Sequence, residues 1–306
     1  MKYILQTRNL TKRYGNKTVV NDLNMNINKG DIYGFLGKNG AGKTTTLRMI
    51  MGLIQSTAGE IEVFGSRLDQ KDQNKIMERI GVIIEYPGFY LNLTAEENLE
   101  IHRRLMGMGN KESIEEALAI VGLLEAKDQK VKGYSLGMKQ RLGIARAILH
   151  HPEFLVLDEP LNGLDPVGIK EIRQLFLDLS KQGITILISS HLLSEIEQIA
   201  TRIGIIHHGN LLEEVDYETL QKKSRHYLEI NVNDEQKTVF ILEQKLGITD
   251  YLIVGQGTVY LYENIDQPAL INATLTSNGI EVQGILLSRD SLEDYFLKVT
   301  GGGSHA

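Results

Sequence analysis

The sequence predicts an α/β fold built on a parallel sheet, with a helical insert and a small α+β unit after it. Three observations carry that prediction. Phe154 to Leu157 and Ile184 to Ile188 are short, unbroken apolar runs, the pattern of strands buried on both faces. Between them a helical pattern runs from Pro166 to Lys181, and strand, helix, strand implies parallel pairing. After about Tyr217 the elements shorten and the alternation ends.

Each element has a local reason. Asp31 to Leu36 is an apolar strand ending in a Gly-rich turn, and a helix follows from Thr44 to Met51. Asp165 is placed to cap the Pro166 helix, Pro166 suits its first position, and Gly183 lies just past its end. Thr94-Ala-Glu-Glu97 fits a capping box opening a helix through about Met106. Asn110 suits the cap of a second helix ending near Gly122, so a helical subdomain is expected over about 86–150. Ile203 to Ile206 and Leu211-Leu212 flank a turn at His207 to Asn210 and read as a hairpin. Beyond it, strands are expected at Tyr227 to Val232, Tyr251 to Val254, Val259 to Tyr262 and Gly284 to Leu287. Helices are expected at Glu235 to Leu246, Gln267 to Ser277 and Ser291 to Lys298. The division that results is a main domain over 1–217, an accessory α+β domain over 218–300 and a flexible tail over 301–306.

Composition removes several classes. A formal charge of −6 argues against a general nucleic-acid binder, and the absence of cysteine excludes disulfides and thiolate metal sites. No apolar stretch approaches the length of a membrane span, and residues 1–10 carry no secretory signal. A transport role would therefore need a partner to supply the membrane path.

The chemistry starts at Gly37-Lys-Asn-Gly-Ala-Gly-Lys43-Thr44, a full phosphate-binding loop between a predicted strand and a predicted helix. Glycines 37, 40 and 42 let successive backbone N–H groups point inward as an anion nest, with Asn39 and Ala41 between them. The helix start adds partial positive charge, Lys43 reaches the outer phosphates, and Thr44, next to Thr45, can ligate Mg²⁺. Such a loop binds a nucleoside triphosphate. Phe154 to Leu157 then ends in Asp158 and Glu159. Adjacent residues at a strand end point apart, so Asp158 can serve the Mg²⁺ shell while Glu159 faces an attacking water as general base.

Ser135-Leu-Gly137-Met-Lys-Gln140-Arg141, just upstream, narrows the class. With this segment the chain resembles the ATP-binding cassette (ABC) ATPases, over about residues 3–217. The resemblance implies that Ser135, Gly137 and Gln140 meet the γ-phosphate held by an opposite subunit, so that a homodimer or heterodimer closes around two ATP molecules. It also implies that Asp165 in Leu161-Asn-Gly-Leu-Asp165 belongs to a loop crossing that interface. His191 would contact the γ-phosphate and Tyr14 would stack on adenine. The catalytic set is then Glu159, His191 and Lys43, with ATP and Mg²⁺ as cofactors. A separate transmembrane permease would be the partner, at the cytoplasmic face of the membrane.

One position departs from the family. Where its members usually carry glutamine, Ile80 to Glu85 ends in a glutamate, which would stand near the Mg²⁺. That Glu85 and the aromatic stretch Tyr86 to Tyr90 resemble the ATPases of bacitracin exporters and lantibiotic-immunity transporters. The stretch lies where relatives receive a helix of the permease. The function implied is export of, or self-immunity to, peptide antibiotics. Alternatives are a lipid or drug exporter, or a soluble ABC ATPase outside transport.

Overall fold

The computed structural model describes residues 2–68, 73–85, 87–223 and 225–301, so the expected tail beyond 301 lies outside the described residues. Of the aromatic stretch Tyr86 to Tyr90, Tyr86 lies outside the described residues as well. Contacts group the described residues into two compact units, the first holding residues 2–218 and 299–301 and the second 219–298.

The first unit is organised by a six-stranded sheet. Across it run Asn210–Asp216, Arg202–His207, Ile32–Leu36, Thr185–Ser190, Phe154–Asp158 and Ile80–Ile83. All neighbours are parallel except the Asn210–Asp216 edge, which returns antiparallel from Arg202–His207. That return is tight because His208 and Gly209 both take positive φ, 46° and 81°, as a two-residue hairpin turn requires. Phe35, Leu36, Phe154 to Leu157 and Ile186 to Ile188 are fully buried, which is why their runs are apolar without alternation. The helix Pro166–Lys181 starts on Asp165, whose Oδ1 accepts the Gly168 N–H at 3.0 Å, and stops before Gly183 at φ 92°.

A second, antiparallel sheet was not foreseen from the sequence. Tyr3–Tyr14 pairs with Lys17–Leu23, Asn26–Asn28 and Ala58–Val63, and the last pairs with Ser66–Arg67. Its inner residues Leu5, Val20, Ile27 and Val63 share one core with Leu47 and Ile50 of the helix Lys43–Ile50 and with Phe35 and Phe154 of the main sheet. Burying a leucine or isoleucine contributes ~1.5–3 kcal/mol, so the phosphate-loop helix is anchored from two sides.

The helical insert begins with Ala95–Leu105, where the capping box is complete. Thr94 Oγ1 accepts the Glu97 N–H at 3.1 Å and Glu97 accepts the Thr94 N–H at 2.7 Å. Asn110 Oδ1 accepts the Glu112 N–H at 2.9 Å as Glu112–Ile120 begins, with Lys111 rather than Asn110 in the cap position. Leu136–Ile148 follows, and the chain at Pro87 lies directly on it. A Cβ at Gly143 would stand 2.9 Å from the proline ring.

In the second unit a four-stranded antiparallel sheet runs Tyr251–Gly255, Thr258–Leu261, His226–Val232, Val282–Arg289. Glu235–Ile241 and Pro268–Ser277 close its core over Leu228, Ile230, Val259 and Leu261. The single helix expected to Leu246 ends earlier. After Ile241 the chain widens into a π-helical turn, Leu242–Leu246, and stops at Gly247 with φ 64°. Leu292–Val299 is the last helix.

Candidate nucleotide site

The phosphate loop needs its glycines for space as well as conformation. A Cβ at Gly37 would lie 2.5 Å from the Ile206 carbonyl oxygen, and one at Gly42 3.0 Å from that of Val19. Gly40 and Gly42 have φ of 80° and 114°, which side chains rarely adopt. Asn39 and Gly40 are exposed, Ala41 is buried, and Thr44 and Thr45 are half-buried in the first turn of Lys43–Ile50. Main-chain N–H groups unpaired at that helix start make an anion site.

Three of the expected catalytic residues meet directly. Lys43, only 5% exposed, donates to the Gly37 carbonyl at 2.6 Å and pairs with Glu159 Oε1 at 3.0 Å. His191 Nδ1 lies 2.9 Å from Glu159 Oε2. Glu159 therefore holds a buried ammonium on one oxygen and an imidazole on the other. Its backbone has φ 49°, and its N–H is shared between the Ser189 carbonyl at 3.1 Å and the Ser189 hydroxyl at 3.0 Å. That turn sends Glu159 away from Asp158, whose buried carboxylate accepts a short bond from the Ser189 hydroxyl. Ser189 thus orients both acids, a role the sequence reading did not assign. Its signal was a hydroxyl inside an apolar strand beside the carboxylate pair.

Among the described residues no group of three or more His, Asp or Glu could hold a metal alone. Asp158 and Thr44 offer a carboxylate and a hydroxyl, oxygen donors of the kind Mg²⁺ takes alongside phosphate oxygens and water. Glu85 is engaged elsewhere: its exposed carboxylate pairs with the Arg48 guanidinium, on the phosphate-loop helix, and its φ is 63°.

The remaining residues stand apart. Ser135 Oγ caps Leu136–Ile148, accepting the Met138 N–H at 3.2 Å, which leaves its own hydrogen as a donor. Nothing comes within 3.9 Å of a Cβ built at Gly137, so a ligand could approach that helix start closely, and Gln140 is buried one turn on. The Asp165 carboxylate is spent on its own helix cap. Tyr14 is 52% exposed, with the Lys12 ammonium 4.9 Å from its ring centre. Among the described residues no hydrogen bond or ion pair links Tyr14, Ser135, Gln140 or Asp165 to the Lys43–Glu159–His191 cluster.

Comparison with known proteins agrees with this geometry. A family model described as ABC transporter matches residues 20–162. The bacitracin transport ATP-binding protein of Bacillus licheniformis is 52% identical over 305 residues, 99% of each chain. A lantibiotic transport ATP-binding protein of Streptococcus pyogenes is 43% identical, covering 70% of this chain and 92% of its own length. Among solved structures, the ATP-binding cassette MJ0796, described as a dimeric post-hydrolysis state bound to ADP and Pi, superposes with a TM-score of 0.63. It is 26% identical and covers 70% of this chain and 98% of its own. The chain belongs to the ATP-binding proteins of ABC transporters.

Proposed function

We propose that this chain is the ATPase subunit that powers a peptide-antibiotic exporter, acting in bacitracin or lantibiotic export or self-immunity. The observation that carries the ATPase part is the contact of Lys43 and His191 with the two oxygens of Glu159 beside the phosphate loop. The antibiotic part rests on 52% identity along the whole chain to a bacitracin transport ATP-binding protein.

In this reading the loop amides and Lys43 bind the β- and γ-phosphates, and Tyr14 stacks on adenine. Thr44 and Asp158 would hold Mg²⁺, which when bound neutralises charge across the phosphate oxygens. As phosphate takes over Lys43, Glu159 is released to orient and deprotonate the attacking water, with His191 at the γ-phosphate. Ser135, Gly137 and Gln140 serve a nucleotide held by a second cassette, identical or closely related, in keeping with the lack of any hydrogen bond or ion pair among the described residues between them and the cluster on their own chain. Asp165 stands in the loop at that interface. The main domain over 1–217 does this work, and the accessory domain over 218–300 reinforces the dimer.

No helix among the described residues is long and apolar enough to cross a membrane. A separate permease therefore supplies the path, and the chain works peripherally at the cytoplasmic face of the membrane. The test is resistance. Sensitive cells given this chain with the membrane protein encoded beside it should survive higher bacitracin or lantibiotic, and Glu159→Gln should abolish the gain. Equal sensitivity with and without the pair would reject the antibiotic assignment.

A further inference from the structure

The sheet of the second unit ends on a strand that is bare on both sides. Val282–Arg289 is an edge strand, joined on its inner side to His226–Val232. Leu286 and Leu287 are consecutive, so they point to opposite faces, yet both are exposed, at 61% and 59%. Leu287 stands beside Leu228 on the face that holds the core, and Leu286 stands beside Glu229 on the other. One open face would suit a surface laid on the sheet. Two open faces at one edge suit a further strand, which would cover both leucines and take up the outward backbone groups. Among the described residues only His226–Val232 pairs with Gly284 to Ser288. The opposite edge, Tyr251–Gly255, is blunted: its register slips between Ile253 and Gly255, and its exposed Leu252 and Val254 lie on one face.

The residues of Val282–Arg289 complement themselves. Two copies related by a two-fold axis through the sheet run antiparallel, and directly opposed residues share a face. Centred on Leu286, the register sets Leu286 beside its own copy, Ile285 beside Leu287 and Gly284 beside Ser288. Centred one residue later it would set Ile285 beside Arg289, and one residue earlier Leu287 beside Gln283. The Leu286 register alone of these three matches apolar with apolar and small with small.

Space and charge agree with it. A hollow of about 340 Å³, lined by Pro268, Ala269, Asn272, Val282, Gly284 and Ile285, opens beside Ile285, the position that the second copy's Leu287 would meet. Glu281 and Arg289 flank the strand, both exposed, and no ion pair among the described residues engages either. Antiparallel order carries the Arg289 of one copy toward the end that holds the Glu281 of the other.

We propose that Val282–Arg289 is a self-association edge: two copies of this chain pair through it, antiparallel about Leu286, and join their accessory sheets into one. The proposal rests on the reading that the accessory domain reinforces the dimer, and it names the surface and the partner.

The test uses the full-length chain carrying Glu159→Gln with Mg-ATP, where the cassettes are expected to dimerise. The chain has no cysteine, so single ones can be introduced. Opposed residues of an antiparallel pair have Cα atoms about 4.5–5.5 Å apart, within the span of a disulfide. On mild oxidation Leu286→Cys should yield about tenfold more covalent dimer than Leu252→Cys at the other edge. Leu286→Lys should weaken the dimer about tenfold in sedimentation, since like charges would then face each other across the axis. ATP binding should not change in any of them. Cross-linking no greater at 286 than at 252, or an unchanged dimer constant in Leu286→Lys, would overturn the proposal. A strand from another protein on this edge would give the first of those results. A dimer that forms without cross-linking at 286 removes this edge and leaves the cassette dimer standing, whereas a chain that stays monomeric removes both.

Discussion

Glu159→Gln should separate the two jobs that the structure gives one carboxylate. Among the described residues Glu159 is the only acid paired with Lys43, 3.0 Å away, and Lys43 is 5% exposed. Breaking a buried pair costs about 3–5 kcal/mol, but the Glu159 side chain is 19% exposed and a glutamine oxygen can still accept. A loss of about 1–2 kcal/mol is the expectation. For a unit of this size that lowers the melting temperature by roughly 2–8 °C. Mg-ATP should shrink the deficit, because phosphate replaces the carboxylate at Lys43. Turnover should fall about 10²–10⁴-fold, the contribution of a positioned general base. The variant should therefore retain ATP and elute as a dimer. Thermal melts with and without Mg-ATP, phosphate release and size-exclusion chromatography read all three effects. Unchanged hydrolysis would refute Glu159 as the base, and an unchanged melting temperature without nucleotide would refute the Lys43 pair as a stabilising contact.

Other expectations are narrower. Gly37→Ala should cost at least tenfold in nucleotide affinity, about 1.4 kcal/mol, since its Cβ would stand 2.5 Å from the Ile206 carbonyl oxygen; fluorescent-nucleotide titration reads it. Glu85→Gln should keep ATP binding but alter the Mg²⁺ dependence of turnover or its coupling to transport, and Arg48→Ala should move the same readouts because it frees the same carboxylate. Identical turnover and resistance in Glu85→Gln would remove Glu85 from the account. Stability should also respond to His102, whose imidazole falls from its ordinary 6.5 to about 4. Between those values the unfolded chain holds more protons, so this contribution is present above pH 6.5 and is lost as pH falls toward 4. In denaturant melts His102→Gln should flatten that slope by up to one proton, and an unchanged slope would count against burial as its cause.

The central sheet was legible because its strands are buried on both faces and their helices carry explicit stops. Phe154–Asp158, Asp165, Pro166 and Gly183 each act through neighbours in sequence. The antiparallel sheet was hidden because its longest strand breaks its own alternation. Asn9 sits at φ 49° and the pairing shifts register around Leu10 and Lys12, so Tyr3–Tyr14 shows no clean period of two. The helix expected through Leu246 failed for a related reason: nothing local marks where a helix widens into a π turn.

At the site the same division holds. Lys43, Asp158 and Glu159 are named by motifs whose spacing is set by one strand and one loop. Ser189 and Arg48 act across long gaps in sequence, Ser189 on residues 30 and 31 positions away and Arg48 on one 37 away. Their hydroxyl and guanidinium carry no spacing signal.

The most direct test of the account is Mg-ATP hydrolysis by the chain assembled with its neighbouring membrane protein, with and without bacitracin or a lantibiotic. The account predicts that a permease co-purifies, that the peptide changes turnover, and that Glu159→Gln abolishes the response. A complex that hydrolyses ATP at the same rate whatever peptide is added would contradict the antibiotic role, and a chain that never associates with a membrane protein would contradict the transport role altogether.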